Sequence, residues 1–302
     1  MIAVQLQGQL GNQMFQYAAA RLTAERLGVP LMVHGDLLSQ IDPSFFDRGG
    51  VAGQLGEAFP AVRQSKAGVM LQAWRRTAGQ KAYGEVSSEL FPFMFTPRGP
   101  KDLGLANSEA YDNRFAALAD GTVFYGFFQS ERYLKAGRAQ VLEWYTPAAP
   151  SLARIDALER SLPAPADQMA CIHLRRGDYL TQRDTAADPR LGWALPQSYY
   201  DAALARIPKG TRLAVFSDDP DYALKTFGHL DPWISRGETG LVDMMLMARC
   251  RYMIIANSSM SWWSAWLNSR EDRMVIAPKY HLGIHIGRWV PGDIQVEGWT
   301  YV

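Results

Sequence analysis

The stretch "IAVQLQGQLGNQMFQYAAARLTAERLGVPLMVH" at residues 2–34 sets the fold class of the chain. It begins with a short apolar run of strand type, Ile2 to Leu6, and ends with a second one, Leu31 to His34. Between them, apolar residues recur at helical spacing from Asn12 onward, and Gly28 is a natural helix terminator. Strand, helix and strand in succession form the unit of a parallel sheet, so the stretch predicts an α/β protein.

The loop between this first strand and the helix is rich in glycines and amides. Gly8 and Gly11 have GxxG spacing, so the GxGxxG fingerprint of dinucleotide binding is absent. An RNA-binding GxxG loop is disfavoured by the net charge of only +1. We interpret the loop as a glycine turn that lets the backbone approach a ligand. Asn12 and Gln13 are then expected at the helix start, facing a cleft.

Length and composition describe an ordinary globular protein of two domains. A chain of 302 residues predicts two domains of about 150 residues each. The 31 basic and 30 acidic side chains give no general reason to expect nucleic acid. We see no signal peptide and no apolar run of about 18 residues that would span a bilayer. Cys171 and Cys250 lie in apolar surroundings without CxxC spacing, which predicts reduced core residues and a cytoplasmic location.

The second half of the chain alternates between strand and helix patterns, which predicts a second doubly wound α/β domain and hence a cleft between two domains. We place the boundary in the proline-containing stretch at 146–150, giving domains 1–148 and 149–302, with Ser151 capping a helix that ends at Ser161. Residues 35–120 show only weak periodicity. The predicted strands are Val123–Phe128, Met169–Arg175, Arg212–Ser217, Arg251–Ala256 and Met274–Ala277, and the predicted helices of the second half are Ser198–Ile207, Asp221–Phe227, Leu241–Arg249 and Ser261–Leu267.

"CIHLRRGDYL" at 171–180 is the most informative stretch for chemistry. A strand ends at His173 or Arg175, and Arg176 and Asp178 follow at the carboxyl edge of the sheet, where open α/β sheets bind ligands. Arginine offers a rigid fork of donors that suits phosphate oxygens. A surface turn with a salt bridge between Arg176 and Asp178 explains the same residue types, so both interpretations stay open at this point.

"VFSDDPDYALKTFG" at 215–228 contains Asp219-Pro220-Asp221, a DxD triplet that could bind a divalent metal with a nucleotide diphosphate. We favour another interpretation, in which Asp219 caps a helix that begins at Pro220, where the missing N–H of proline costs nothing. Asp218 would then face the ligand edge and accept a hydrogen bond from a guanine or a ribose. We expect no metal.

"ANSSMSWWSAWLNS" at 256–269 repeats this arrangement. A strand runs into Asn257, Ser258 and Ser259, and a helix follows, so that free N–H groups and hydroxyls form a ready anion site. Serine is also a common helix cap, which is the alternative. Three tryptophans at helical spacing, Trp262, Trp263 and Trp266, are predicted to lie in the core rather than to serve as sugar platforms.

Four segments together resemble the α-1,2-fucosyltransferases of glycosyltransferase family 11: "GQLGNQMFQYAAA", "HLRRGDY", "FSDD" and "DMMLMARCRYMIIANSSMSWWSAWL". They keep the family's order and span residues 8–267. One departure is Gln7-Gly8-Gln9, where the family more often has Gly-Gly-Leu. The resemblance implies a GT-B-like fold of two facing Rossmann-like domains with a cleft between them, an acceptor-side domain at 1–148 and a GDP-sugar-binding domain at 149–302.

The same resemblance implies an inverting transfer of fucose from GDP-β-L-fucose to a hydroxyl, often the 2-OH of a galactoside, with no metal or other cofactor. Arg175 would hold the diphosphate while the glycosidic bond breaks. Asp178 is the best-placed general base, and Asn12 would orient the acceptor hydroxyl. The partners are a GDP-sugar and a glycan, with no nucleic acid, no membrane span and at most peripheral contact with a lipid-linked acceptor. The expected donor-binding residues are His173, Arg175, Arg176, Asp218, Asn257, Ser258 and Ser259.

Two rival functions stay open from the sequence. One is a glycosyltransferase of this fold that uses another nucleotide sugar, because residues that hold GDP need not specify fucose. The other is a non-catalytic carbohydrate-binding protein, suggested by the nine tryptophans. The second rival leaves the arginine and serine loops without a purpose.

Overall fold

The computed structural model describes residues 1–34, 55, 58–62, 66, 70, 93–98, 109–181 and 192–302. These residues form two compact units, of which the first ends at Ala148 and the second begins at Ala149. Each unit is built on a sheet whose paired strands are all parallel. The predicted α/β class is therefore confirmed.

The first unit has a sheet with the strand order β2-β1-β4-β3. The helix α1, Leu10–Leu27, connects β1 to β2 and ends at Gly28, whose φ of 65° is left-handed and easily adopted by glycine. A short helix α2, Arg138–Trp144, lies near the end of the unit. The strands are β1 (Ile2–Gln5), β2 (Leu31–His34), β3 (Phe93–Phe95) and β4 (Thr122–Phe124).

The strand expected at Val123–Phe128 is shorter than predicted. It ends at Phe124 because Gly126 and Phe128 have φ values of 147° and 56°, which an extended strand does not accommodate. The apolar residues beyond Phe124 form a turn instead. The aromatic side chains of Phe95, Phe115, Phe124, Phe128 and Tyr133 pack on one another around it.

The second unit has a sheet of six strands in the order β10-β9-β8-β5-β6-β7. Helices cover both faces of this sheet, because Cys171 of β5 packs into one buried apolar cluster and its neighbour Ile172 into another. Burial on both faces explains why the strands are continuous apolar runs. The strands are β5 (Ala170–Leu174), β6 (Leu213–Ser217), β7 (Trp233–Ile234), β8 (Tyr252–Ile254), β9 (Met274–Ala277) and β10 (Thr300–Tyr301), and the helices are α3 (Ala149–Glu159), α4 (Gln197–Leu204), α5 (Pro220–Phe227), α6 (Gly240–Met247) and α7 (Ser259–Leu267).

The helices and strands predicted for this unit are present, although their ends are shifted. The predicted helix cap at Ser151 is wrong. The helix expected to start after Ser151 begins at Ala149, since the first turn of a helix accepts a proline such as Pro150. Cys171 and Cys250 are buried and unpaired, as predicted. The tryptophans of α7, Trp262, Trp263 and Trp266, are at most 2% exposed and pack on one another, which confirms their place in the core.

Parallel strands end at one edge of their sheet, and this brings distant loops together. In the second unit, the residues after β5, β6 and β8 leave from the same edge. In the first unit, the loop after β1 lies beside the residues that follow β4, since these two strands pair. No helix in the described part of the chain is long and apolar enough to cross a membrane.

Candidate active site

Arg175 follows the last residue of β5 and is held between two carboxylates. Its Nη2 lies 2.6 Å from Asp178 Oδ1, and its Nη1 lies 3.0 Å from Asp218 Oδ2. The guanidinium carbon is 5.4 Å from the centre of the Tyr179 ring. The side chain is 21% exposed, so the planar fork of donors is fixed in direction yet open to a ligand.

Gly177 is required for this arrangement. A Cβ atom at this position would lie 2.6 Å from Asp218 Oδ2, the oxygen that pairs with Arg175. Any side chain there would displace the carboxylate. The sequence contained the signal, an RRGD run after an apolar strand, but not the distant aspartate against which the glycine packs.

Arg176 has a different environment from its neighbour. Its Nε is 3.2 Å from Asp219 Oδ2, and its guanidinium carbon lies 3.3 Å from the centre of the Tyr222 ring. Its backbone N–H donates to Asp218 Oδ1 at 2.9 Å. The salt bridge between Arg176 and Asp178 considered above is therefore wrong, because each arginine faces another partner. Arg176, expected to bind the donor, is engaged with the start of α5.

The DxD triplet is a helix start. Asp219 Oδ1 accepts a hydrogen bond from the Tyr222 N–H at 3.0 Å, and Pro220 is the first residue of α5. Asp221 pairs with Arg236 at 3.0 Å on the surface. The capping interpretation is confirmed. In the part of the chain that the structure describes, no three His, Cys, Asp or Glu side chains gather in a way that could hold a metal ion.

His173 is a buried, neutral imidazole. Its side chain lies inside the unit with the residue only 3% exposed, and burial lowers its pKa to about 3. Its Nδ1 has no hydrogen-bond partner among the described residues. A neutral ring with an unused nitrogen can donate or accept one hydrogen bond toward a ligand, but it carries no charge at neutral pH.

Asn257 links three segments at this edge. Its side-chain Nδ2 donates to the backbone carbonyl of Trp193 at 2.9 Å, and its backbone carbonyl accepts from the Tyr179 hydroxyl at 3.0 Å. The Trp193 N–H in turn donates to the Tyr179 carbonyl at 2.9 Å. Asn257 is 1% exposed, and its Oδ1 has no partner within the described ranges. Like His173, it holds a buried polar atom that a ligand would satisfy.

The serines after β8 do not act as expected of a simple cap. Ser258 occupies the position before α7, but its side chain makes no capping hydrogen bond. Ser259 is the first residue of the helix, and Ser258 is 7% exposed. The start of α7 therefore lacks the usual side-chain acceptor.

The loop of the first unit is fastened by its amides. Gly8 has a φ of 75°, and a Cβ atom there would lie 2.5 Å from Asn12 Nδ2. Gln13 is fully buried and donates to the Gly8 carbonyl at 2.8 Å. Gln16 accepts from the Gln7 N–H and donates to the Gln7 carbonyl, at 2.8 and 3.2 Å.

The loop differs from the expectation in where the helix begins. The helix begins at Leu10, so that Gly11 and Asn12 lie inside its first turn, and Gly11 is buried. Gln13 Nε2 fastens the loop from within, while its buried Oε1 has no partner among the described residues, so its expected contact with a ligand stays a prediction. Asn12 is half-buried, and its Oδ1 accepts a hydrogen bond from Gln129 Nε2 at 2.8 Å. Gln129 was missed in the sequence, although it follows an apolar strand as Arg175 does.

Residues 109–302 match the sequence profile of Glycosyl transferase family 11. The chain belongs to this family. As a family 11 glycosyltransferase, it is 28% identical over 312 residues to the O-antigen biosynthesis glycosyltransferase WbnK of Escherichia coli, covering 97% of this chain and 98% of that protein. It is 34% identical over 179 residues to an α-1,2-colitosyltransferase of Escherichia coli, covering 57% of this chain and 60% of that protein.

A solved structure with a similar chain course is the α-1,6-fucosyltransferase NodZ soaked with GDP-fucose. It is 16% identical, has a TM-score of 0.45, and the match covers 88% of the family 11 chain and 92% of NodZ. A glycosyltransferase needs a nucleotide-sugar donor and a glycan acceptor. In the described part of this chain, arginine, histidine, asparagine and serine groups lie at or just after the ends of the strands β5 and β8 at one edge of the second sheet.

Proposed function

We propose that this family 11 enzyme transfers fucose from GDP-β-L-fucose to the 2-OH of a galactoside in a glycan, with inversion to an α-1,2 linkage. The observation that supports this most directly is the fixed guanidinium of Arg175 at the carboxyl edge of β5. Negative charge grows on the departing GDP as the glycosidic bond breaks. A preorganised cation there stabilises the transition state more than the bound donor.

Arg175 has donors to spare for a diphosphate. Its contacts with Asp178 and Asp218 use two of the five N–H groups of a guanidinium. In this proposal the remaining N–H groups bind phosphate oxygens. Asp218 can in addition accept from the guanine or the ribose, as we expected from the sequence.

The neighbouring loops supply the remaining donor contacts in this proposal. The orphaned Nδ1 of His173 and Oδ1 of Asn257 are buried polar atoms that a bound nucleotide would satisfy. The start of α7, with the uncapped Ser258 and the following Ser259, would bind a phosphate oxygen. Arg176, engaged with α5, would act mainly by supporting the loop.

The reaction proceeds without a metal in this proposal. The carboxylates that could bind one are used elsewhere, Asp219 as a helix cap and Asp221 in an ion pair. The N–H donors of Arg175 stabilise the charge of the diphosphate in the place of a cation. No other cofactor takes part.

In this proposal, the first unit, residues 1–148, binds the acceptor. Asn12 would touch the acceptor hydroxyl, and Asp178 would be its general base. Asp178 contacts Arg175 directly, so that it also orients the arginine. The kinship with an O-antigen biosynthesis enzyme supports a bacterial surface glycan as acceptor, with at most peripheral contact with a lipid carrier. The free, buried cysteines support a cytoplasmic location.

A second candidate donor carries colitose instead of fucose. It is favoured by the relative named α-1,2-colitosyltransferase, which is 34% identical to this chain over 179 residues. Both candidates share the proposed GDP site and the linkage.

A donor panel tests the proposal. The enzyme is assayed with GDP-fucose, GDP-colitose, GDP-mannose and UDP-galactose, with a terminal β-galactoside as acceptor, and the linkage is read by NMR. We expect the highest kcat/KM for GDP-fucose and an α-1,2 product. A preference for GDP-colitose would select the second candidate, and use of UDP-galactose alone would refute the GDP site. Binding of the galactoside without transfer from any donor would indicate a carbohydrate-binding protein.

A further inference from the structure

Gln129 joins the two loops that leave the carboxyl edge of the first sheet. It follows β4, while Asn12 follows β1, and these strands are paired neighbours, with Val4 opposite Phe124. The Gln129 side chain, on a residue only 8% exposed, donates from Nε2 to Asn12 Oδ1 at 2.8 Å. The residue proposed to touch the acceptor is therefore held by a partner 117 positions away in the chain.

The direction of this hydrogen bond determines what Asn12 can do. Since Asn12 Oδ1 is turned toward Gln129, the amide is fixed with its Nδ2–H₂ group as the donor that a ligand can meet. If both amides were turned around, Asn12 Nδ2 would donate to Gln129 Oε1. The Nε2 of Gln129 would then be a buried donor at the position where Oε1 now lies, which has no hydrogen-bond partner within the described residues. A buried orphan donor is rarer in proteins than a buried orphan carbonyl oxygen, which favours the orientation observed.

The loop that carries Gln129 is itself held rigidly. The half-buried carboxylate of Glu109 accepts from the N–H groups of Phe127 and Phe128 at 2.8 and 3.1 Å. A Cβ atom on Gly126 would lie 2.9 Å from Glu109 Oε1, so that the carboxylate occupies the place of a side chain. Phe128 has a φ of 56°, a left-handed conformation that is strained for an aromatic residue and that persists only where neighbours impose it.

We propose that Gln129 is a positioning residue that fixes Asn12 as a hydrogen-bond donor to the acceptor sugar. Asn12 then donates to the oxygen of the reacting hydroxyl and orients it, while the proton of that hydroxyl leaves to another group. Glu109 fastens the loop from which Gln129 reaches Asn12. This inference rests on the proposed function, since it specifies how the acceptor side of that reaction is arranged.

A double-mutant cycle tests the proposal on the full chain. Gln129→Leu removes the donor, Asn12→Ala removes the group it positions, and the double variant combines them. We expect Gln129→Leu to lower kcat about tenfold, which corresponds to one hydrogen bond, with the donor KM within about twofold of the parent. In the Asn12→Ala background, Gln129→Leu should have no further effect, because nothing is left to position.

Two further variants separate positioning from a merely structural role. Gln129→Glu keeps the size of the side chain but places a carboxylate against Asn12 Oδ1, which turns the Asn12 amide around and presents its oxygen to the ligand. We expect it to lose at least as much kcat as Gln129→Leu and to lose some thermal stability, because a carboxylate is buried there without a partner for its second oxygen among the described residues. Gln197→Leu is the matched control, because Gln197 also donates from Nε2, to Asp201 at 2.9 Å on the surface of the second unit. It should leave kcat unchanged.

The outcomes of this experiment are distinct. Additive losses in the cycle, or full kcat in Gln129→Glu, would overturn the positioning role. If Gln129→Leu fails to fold, Gln129→Glu decides alone. The bond itself is read without substrate from hydrogen exchange of the Gln129 side-chain amide by NMR, which should be slowed in the parent and fast in Asn12→Ala; equal exchange in the two proteins would also overturn the inference. A parent that transfers another sugar but not fucose would contradict only the proposed function, and the cycle is then measured with that sugar.

Discussion

Arg175 is the residue on which the proposed chemistry depends most. We expect Arg175→Ala to lower kcat by about 10²–10³, the loss typical of one well-placed transition-state donor. Arg175→Lys should recover only a small part of this loss. A lysine keeps the charge but cannot hold Asp178, Asp218 and a diphosphate at once with a planar fork. The measurement is steady-state transfer from GDP-fucose, with circular dichroism to show that the variants fold.

Arg212→Ala serves as the control for Arg175→Ala. Arg212 lies just before β6, at the opposite edge of the same sheet, and forms an exposed ion pair with Asp231 at 3.4 Å. Its removal should leave kcat unchanged, since exposed ion pairs contribute little. Arg176→Ala should lower kcat less than Arg175→Ala does, because that side chain packs on Tyr222. A folded Arg175→Ala enzyme within a few-fold of the parent would mean that the diphosphate is stabilised by another group.

Single residues were predictable where a local pattern carried the signal. Arg175 and Asp219 could be found because a strand ending in arginine and an Asp-Pro helix start are local features. Gln129 could not be found, since its importance lies in one hydrogen bond to a residue 117 positions away. The hydrogen bond from Gln13 to the Gly8 carbonyl could not be found for a related reason. An amide in a glycine loop can face a ligand or fasten the loop from within, and only tertiary packing decides between the two.

At the scale of elements, the turn between β1 and α1 depends on Gly8 for two reasons that can be separated. Gly8 and Gly28 have similar left-handed φ values of 75° and 65°, so alanine at either position should cost about 1–2 kcal/mol of stability. Only Gly8→Ala also drives a Cβ atom into Asn12, since nothing lies within 4 Å of the corresponding atom at Gly28. We expect similar losses in melting temperature for the two variants but a loss of kcat in Gly8→Ala alone. Equal kcat values for the two variants would mean that the position of Asn12 does not affect catalysis.

The start of α5 leads to a prediction about metals. Asp219 is occupied as the cap of this helix, and in the proposed function Arg175 supplies the positive charge at the diphosphate. Transfer from GDP-fucose should therefore continue in excess EDTA at an unchanged rate. Loss of turnover in EDTA that is restored by Mn²⁺ or Mg²⁺ would refute the metal-free proposal.

Element ends were harder to predict than element types. The helices of the second unit were recognisable from apolar spacing, but the end of β4 depends on the positive φ values of Gly126 and Phe128. Those values arise from the carboxylate of Glu109, 18 positions earlier, which binds the Phe127 N–H. An aromatic run in the sequence favours a strand, and nothing local in it signals such a turn.

At the scale of the whole molecule, acid should destabilise the fold through two buried histidines. Burial lowers the pKa of His173 and of His281 to about 3, whereas an unfolded histidine has its ordinary value near 6.5. Between these values the unfolded chain binds protons that the native protein does not. The free energy of unfolding therefore falls as the pH decreases from 7 toward 3. Each of the two histidines contributes a fall of about 1.4 kcal/mol per pH unit. Asp243 opposes this trend, since burial raises its pKa to about 6 and its native form gains a proton in part of the same range.

His281→Asn isolates one of these contributions. Asparagine tolerates the left-handed φ of 53° at this position and does not titrate. Between pH 7 and pH 5, we expect the variant to lose about 2 kcal/mol less unfolding free energy than the parent, measured by urea unfolding at the two pH values. His229→Asn, at an exposed position, is the control and should lose as much as the parent. An equal loss in the parent and in His281→Asn would mean that His281 takes up its proton without unfolding.

The division of labour between the two units is the broadest claim that can be tested. The arginine, histidine and serine groups that suit a nucleotide diphosphate all lie at one edge of the second sheet, whereas the loop of Asn12 and Gln129 belongs to the first unit. GDP added to the full chain should therefore slow amide hydrogen exchange in the loops after β5, β6 and β8, with little change in residues 1–148. Guanosine, which lacks the diphosphate, should leave the loop of Arg175 unprotected and thereby separates recognition of the base from recognition of the phosphates. A ligand slows the exchange of amide hydrogens in the backbone that its binding orders. If GDP slowed exchange mainly within residues 1–148, the assignment of donor and acceptor units would have to be reversed.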